Sequence, residues 1–372
     1  MGVVGAAGAE ALLTTYGPDV RYLSGFTGSS GAVAVVGGRA VLFTDGRYAT
    51  QAKAEAEGVR VVIDKRPPAV QAVEWMAAAG VTKCAFDTGQ TTVAAMDVMK
   101  KALPVGIRRS FFSATSGLVA RLREVKDEDE IGRMRRAAAL GCWLFDEVLE
   151  FVVPGATELA VAAQLEFKAR MAGAEGMSFE TIVASGERSA MPHGRASSAK
   201  LPKRGFVTMD FGVVLEGYCS DMTRTVHLGK ATNEEWDVYH SVLEAQRAAV
   251  AAIAPGVTCG EVDEAARAVL RKAGLEKEFS HSTGHGVGLE IHEGPRLAAK
   301  QEQVLEPGMV ITVEPGAYVS ISAGFHAAGA GSQSKRRMGA GGFGVRIEDM
   351  VVVTEDGGEV LTGDSPKVWM EL

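Results

Sequence analysis

The sequence predicts a mixed α/β (α+β) protein of two domains, a small α/β domain followed by a larger one built on an internal duplication. Three observations predict it. A chain of 372 residues is longer than one ordinary core serves. Short apolar runs alternate with helical stretches over the N-terminal part. The rest of the chain then echoes itself at a fixed spacing.

In the first domain, residues 32–36 and 40–43 are apolar runs flanking Gly37-Gly38, the signature of a hairpin. Residues 59–63 read as a further strand and 69–79 as a helix that stops before Gly80. Asp127 and Glu130 form a capping-box pattern at the start of a long helix, which runs to about residue 151 and ends ahead of Pro154-Gly155. The expected division is therefore a first domain over 1–112, a linker over 113–126 and a second domain over 127–372.

Within the second domain, Pro154-Gly155-Ala156-Thr157 opens a helix ending Arg170-Met171-Ala172-Gly173. Pro255-Gly256-Val257-Thr258 opens another ending Arg271-Lys272-Ala273-Gly274, offset by 101 residues at both ends. Chance likeness of two Ala-rich helices explains the helices alone. It does not explain the matching order that follows, in which each half has a histidine-bearing loop and then a strand ending in a carboxylate, at Asp210 and at Glu314. Duplication of a half-site is a natural way to build a shared metal centre.

Composition narrows the function. Hydrophobic residues are 47% and charged residues 23%, the balance of a globular chain. A net charge of −7 supplies no field for nucleic acid. No apolar run approaches the roughly 20 residues of a membrane helix, and residues 1–10 lack the basic stretch of a secretory signal. The four cysteines, Cys84, Cys142, Cys219 and Cys259, have no paired spacing and read as buried thiols of a reducing compartment. A cytoplasmic protein is expected.

The chemistry concentrates in three places. Residues 206–215 form an apolar strand and 218–226 its return across Glu216-Gly217. If Leu215 pairs with Tyr218, Asp210 faces Thr223, and Asp221 shares that face, so the two carboxylates are diagonal neighbours about 7–8 Å apart at the backbone. An Asp on a hairpin is most often a solvated residue, but Asp210 lies between Met209 and Phe211, where an unpaired charge is costly. Next, His281, His285 and His292 place three of the seven histidines within twelve residues. The glycines around His285 let the backbone approach closely. The Gly-x-Gly-x-Gly pattern there lacks the strand-to-helix setting of a phosphate loop, and no His-Glu-x-x-His zinc motif is present. Finally, Glu314 ends the apolar run 309–313, and Glu348 lies within the apolar stretch 345–353, where a buried Glu calls for a partner. Arg346, on the same face, is the structural alternative for Glu348. Four carboxylates and one imidazole make a hard donor set for Mn²⁺, Co²⁺, Fe²⁺ or Zn²⁺. It is too charged for one ion, whereas two dications about 3.5–4 Å apart balance it and can activate a bridging water.

These motifs closely resemble the pita-bread metallopeptidases, the superfamily of methionine aminopeptidase, aminopeptidase P, prolidase and creatinase. The resemblance is carried by Met209-Asp210-Phe211-Gly212, by 217–225 with Asp221, by Gly284-His285-Gly286-Val287-Gly288, by Val313-Glu314-Pro315-Gly316 and by Arg346-Ile347-Glu348-Asp349. Residues 21–31 and 43–48 are similar to the creatinase-type N-terminal domain of Xaa-Pro peptidases. The resemblance implies a pseudo-two-fold catalytic domain and two divalent ions, Mn²⁺ first. Asp210 would bind one ion, His285 and Glu314 the other, and Asp221 and Glu348 both. It implies His193, His281 and His292 on the substrate side, with His292 polarising the carbonyl, Glu314 handling the proton of a hydroxide bridging the ions, and Arg346 bracing the site. It further implies a homodimer, an N-terminal domain that restricts the cleft, and a peptide substrate with proline second. An Xaa-Pro aminopeptidase is favoured over a dipeptidase.

The segment 320–342, rich in Gly, Ala and Ser, departs from the family's short connection between the two glutamates. It is expected to be a mobile loop that supplies no ligand, His326 included. A creatinase-like enzyme lacks these metal ligands, methionine aminopeptidase lacks the first domain, and a non-catalytic peptide-binding module typically loses the acids. The complete set of five favours the peptidase.

Overall fold

The computed structural model describes residues 5, 8–319, 342–367 and 369–372. The segment 320–341, with the loop expected there, lies outside the described residues. The chain divides into two compact units, Met1–Arg123 and Glu124–Leu372.

The first unit is a six-stranded sheet between helices. Its strands are β1 (Ala11–Thr14), β2 (Gly31–Val36), β3 (Arg39–Thr44), β4 (Arg60–Ile63), β5 (Cys84–Asp87) and β6 (Phe112–Thr115), in the order β4-β3-β2-β1-β5-β6. The expected hairpin is β2–β3, with Val36 opposite Arg39 across Gly37-Gly38. Strand residues alternate between two cores because both faces are covered. Ala32, Ala34, Val41 and Phe43 pack with Ala72 and Met76 of helix Pro68–Ala78, whereas Val33 and Leu42 pack with Val20 and Ala52 on the opposite side. The span 113–126, expected as a connection, instead carries the rest of β6 and a helix over Leu118–Glu124. β6 pairs with β5, and the buried Arg123 guanidinium donates to Asp19 at 2.9 Å, so this stretch is tied into the first unit.

The second unit opens with α1 (Glu128–Val148), whose capping box is present in both directions between Asp127 and Glu130. The last expected turn tightens into a 3₁₀ segment at Leu149–Phe151. Two helices then mark the duplication, α2 (Glu158–Met171) and, after α3 (Asn233–Ala251), α4 (Cys259–Lys272). Their caps are built alike. Thr157 and Thr258 each accept a backbone N–H three residues on, and the preceding glycines, Gly155 and Gly256, donate to Leu201 O and Leu305 O at 2.9 and 3.0 Å.

Each half follows its helix with an antiparallel sheet. In the first, β8 (Ile182–Ser185), β9 (Gly205–Phe211) and β12 (Met222–Leu228) lie in the order β8-β9-β12. In the second, β13 (Gly284–Gly286), β15 (Val310–Val313) and β18 (Asp349–Thr354) repeat it, with β14 (Glu293–Leu297) and β19 (Gly357–Val360) added at the edges. Val207, Met209, Phe211, Met222 and Val226 pack under α1 and α2, while Ile311, Val313, Val351 and Val353 pack under α3 and α4. In the first sheet, Asp210 and Thr223 lie between these core positions, on the opposite face.

Two expected strands are each broken in two. The run 206–215 is β9 and then, after Gly212, β10 (Val213–Leu215), which joins a separate small sheet with β7 (Gly176–Met177) and β11 (Tyr218–Cys219). A Cβ on Gly212 would collide with the carbonyl of Ser220, so only glycine lets the chain turn there. The run 345–353 is β17 (Phe343–Arg346), paired with β16 (Gly316–Val319), and then β18 in the larger sheet. Ile347 and Glu348 form the bend between them. No helix among the described residues is long and apolar enough to cross a membrane.

Candidate metal centre

The hairpin register is the one the parity argument requires, with Leu215 opposite Tyr218 and Asp210 opposite Thr223. Asp210 is the penultimate residue of β9, and Asp221 immediately precedes β12, so both side chains enter one cavity. From the other half come His285 in the middle of β13, Glu314 just past β15 and Glu348 at the bend between β17 and β18. One pocket of about 510 Å³ is lined by all five, together with His193, His281, His292 and Arg346.

Glycine presents His285. A Cβ at Gly284 would strike Thr312 O, and one at Gly286 would strike Gly294 O, so the strand fits only with bare backbone on both sides of the imidazole. The His285 Nδ1–H donates to Gly286 O at 3.0 Å, which leaves the Nε2 lone pair facing Asp221 at 3.6 Å and Glu314 at 3.8 Å. Ligand atoms of Asp221, His285 and Glu348 all lie within 4.8 Å of one another.

The electrostatics are those of crowded acids that raise one another's pKa. Burial, reinforced by the neighbouring Glu348 and Asp210, holds Asp221 well above the ordinary carboxylate range. Burial and Glu348 do the same to Glu314. Glu348 is pushed up to about 8 by burial and by Asp210. Burial lowers His285 to about 4, so its imidazole is neutral and can ligate. The buried oxygens Asp210 Oδ1 and Asp221 Oδ1 have no hydrogen-bond partner among the described residues. Orphaned carboxylate oxygens beside a free imidazole nitrogen fit hard dications, and the fit rests on four acids that cannot all ionise without them.

Arg346 does not pair with Glu348, the alternative that its spacing allowed. Its Nη2 donates to Asp210 Oδ2 at 2.5 Å, its Nε to Thr223 Oγ1 at 3.1 Å, and its Nη1 to Pro192 O and Tyr318 Oη at 2.9 and 2.8 Å. The reason is the bend, which turns Glu348 away from the face of β17. Thr223 in turn donates to Glu348 Oε2 at 2.7 Å.

Elsewhere in the pocket, His281 donates from Nδ1 to Ser282 O at 2.8 Å, so its Nε2 accepts the Tyr318 hydroxyl at 2.9 Å. Burial lowers His281 to about 4 and also lowers His292, whose ring lies 4.4 Å from that of His285. Phe179, Ile182, Pro192 and Ile291 supply apolar wall. Three contributors escape sequence reasoning. Thr223 had a signal, as the register partner of Asp210. Tyr318 and Arg296 had none, since a tyrosine and an arginine in short strands are ordinary. Arg296 lines the pocket without an ion pair among the described residues.

A duplicated α/β unit that converges four acids, three of them buried, and a neutral histidine defines a metal-dependent hydrolase site. Residues 132–355 match the model of metallopeptidase family M24, and 3–125 match that of the creatinase/prolidase N-terminal domain. The chain belongs to metallopeptidase family M24, and its second unit has the pita-bread fold. The peptidase YqhT of Bacillus subtilis is 37% identical over 98% of this chain and 96% of its own. The solved Xaa-Pro dipeptidase from Bacillus anthracis is 38% identical with TM-score 0.90, covering 100% of this chain and 97% of that one. The X-Pro aminopeptidase from Thermotoga maritima is 33% identical with TM-score 0.86, covering 100% of both.

Proposed function

We propose that this metallopeptidase cuts the bond between a free N-terminal residue and a following proline, with Xaa-Pro dipeptides its preferred substrates. Asp210, Asp221, His285, Glu314 and Glu348 would hold two divalent ions, Mn²⁺ being the first choice for an oxygen-rich set. The ion pair supplies Lewis acidity and a nucleophile derived from water at neutral pH.

The chain's own groups do the rest. A bond into proline is a tertiary amide with no N–H, so the site needs no acceptor opposite it and instead needs room for a ring. Phe179, Ile182, Pro192 and Ile291 offer that apolar wall. Neutral His292 has one N–H to give the scissile carbonyl oxygen as it gains charge. Glu314, held above its ordinary range by burial, can carry a proton to the ring nitrogen that departs. Arg296 is the observation that favours dipeptides over the longer substrates of an aminopeptidase. A pocket cation with no ion partner among the described residues suits the carboxylate of a second and last residue.

The free, buried cysteines support a cytoplasmic setting. A homodimer is proposed with it on the strength of the resemblance, and sedimentation measures it directly. The activity test compares Xaa-Pro with Xaa-Ala dipeptides, their N-acetylated forms and Xaa-Pro-Yaa tripeptides, all with Mn²⁺. Preference for Ala, or indifference to acetylation, sinks the reading. Arg296→Met should raise KM for the dipeptide about tenfold and leave the tripeptide nearly unchanged. Equal effects on both would remove the dipeptide preference.

A further inference from the structure

The two duplicated helices each bury an acid that does not line the pocket. Glu158, the first residue of α2, is 0% exposed. A Glu at this position ordinarily serves its own helix N-terminus, but Thr157 already caps α2. The Glu158 oxygens accept five donors from the end of β8 and the segment that follows it. Oε1 accepts Ser185 N and Oγ at 2.8 and 3.0 Å, and Oε2 accepts Ser197 N and Oγ at 3.1 and 2.7 Å and Arg188 Nε at 3.0 Å. Arg188 then donates through Nη2 to Arg195 O at 2.7 Å. Ser185 and Ser197 are the two necks of one loop, so a single carboxylate closes it. At its tip that loop gives Pro192 O to Arg346 and presents His193 to the pocket.

The second half has its counterpart. Asp263 on α4, 1% exposed, accepts Thr283 N and Oγ1 at 3.2 and 2.8 Å and Arg267 Nε at 2.7 Å. Arg267 Nη2 donates to His281 O at 2.6 Å. Each half thus uses a buried acid on its duplicated helix, paired with an arginine, to hold the loop bearing a pocket histidine. The halves differ in two respects, the first being that Arg188 belongs to the clamped loop itself whereas Arg267 sits on α4 beside Asp263. Thr283 O also accepts the Glu314 amide at 2.7 Å, so the second clamp bonds directly to a candidate ligand residue, whereas the first reaches one only at a further remove, through Pro192 O, Arg346 and Asp210.

We propose that Glu158 and Asp263 are positioning residues for substrate binding. Glu158 acts mainly through His193 at the tip of its loop, and Asp263 acts through His281 and, by way of Thr283, on metal affinity. The inference rests on the reading of these histidines as substrate-side groups.

The test uses the full chain loaded with Mn²⁺ and the peptide it cleaves best. Glu158→Gln should raise KM about tenfold, change kcat by less than about threefold and retain the full metal content. Combined with His193→Ala it should be no worse than His193→Ala alone, because the two act as one unit. Losses that multiply would show a merely structural role and overturn the proposal. Asp263→Asn should weaken Mn²⁺ binding about tenfold as well as raise KM, and a KM effect with metal binding intact would overturn its second part. If Glu158→Gln fails to fold, Ser197→Ala, which removes one of the five donors, should shift KM in the same direction by a smaller factor. Amide exchange supplies a readout independent of any substrate. In either Glu158→Gln or Ser197→Ala, protection should fall over 186–196 and stay unchanged in α1. An unaltered loop would overturn the clamp. A released loop in a protein that ignores Xaa-Pro peptides would instead count against the substrate assignment.

Discussion

Asp221, Glu314 and Glu348 share one buried cavity, and without cations they hold protons that water would remove. The sign of the consequence follows from Glu348. Its folded value of about 8 lies above the ordinary ~4.3, so its stabilisation is present below about 4.3 and lost as pH rises toward 8. His281 runs the other way, lowered to about 4 from an ordinary ~6.5, and its contribution is present above 6.5 and lost as pH falls toward 4. Above pH 6.5 only the carboxyls still act. The melting temperature of the metal-free protein should therefore fall from pH 6.5 to 8, and calorimetry in a chelator that showed it flat or rising would refute this. Glu348→Gln removes one of the crowded charges. It should abolish turnover, and above pH 8 it should leave the metal-free protein as stable as the parent or more so. A large loss of metal-free stability would mean that Glu348 is there for the fold.

At the scale of elements, the two broken strands set the geometry, and sequence pattern does not show such breaks. Apolar alternation runs unbroken through Gly212 and through Ile347, because each piece is buried in whichever sheet it joins. What period-2 reading did capture is the pairing of Asp210 with Thr223, since the two-residue turn sets the register of everything beyond it. The capping box and the duplicated helices were equally legible, being local chemistry. The partners of Arg346 were not, since Asp210, Pro192 and Tyr318 come from distant stretches. Gly212→Ala should cost about 1–3 kcal/mol in chemical denaturation and lower Mn²⁺ affinity, because Asp210 and Asp221 flank the turn. Wild-type stability would show that the bend tolerates a side chain. Val319 and Phe343 are direct partners in the β16–β17 pair, so the chain ends there are already adjacent. Replacing 320–342 by Asn-Gly should then preserve fold and metal content. Loss of the metal on this exchange would bring His326 back as a ligand.

For the whole molecule, the candidate ligands are divided between the halves, Asp210 and Asp221 from one, His285, Glu314 and Glu348 from the other. Ions bound among them would add to the joint that Tyr218, Cys219, Val310 and Met350 already make between the halves. Mn²⁺ at about a thousand times its dissociation constant should add ~4 kcal/mol, roughly 10 °C in melting temperature. Chelation that left the transition unmoved would show that the ions do not bridge the halves. The matched helix caps bear on ancestry. An ancestor of half the present length would have had to associate with its own copy, and its centre would then have been symmetric. Two copies of the present first half would offer four aspartates and no imidazole. Two copies of the second would offer four glutamates and two imidazoles. Neither half can now stand in for the other, so divergence after duplication made the chain dependent on keeping both.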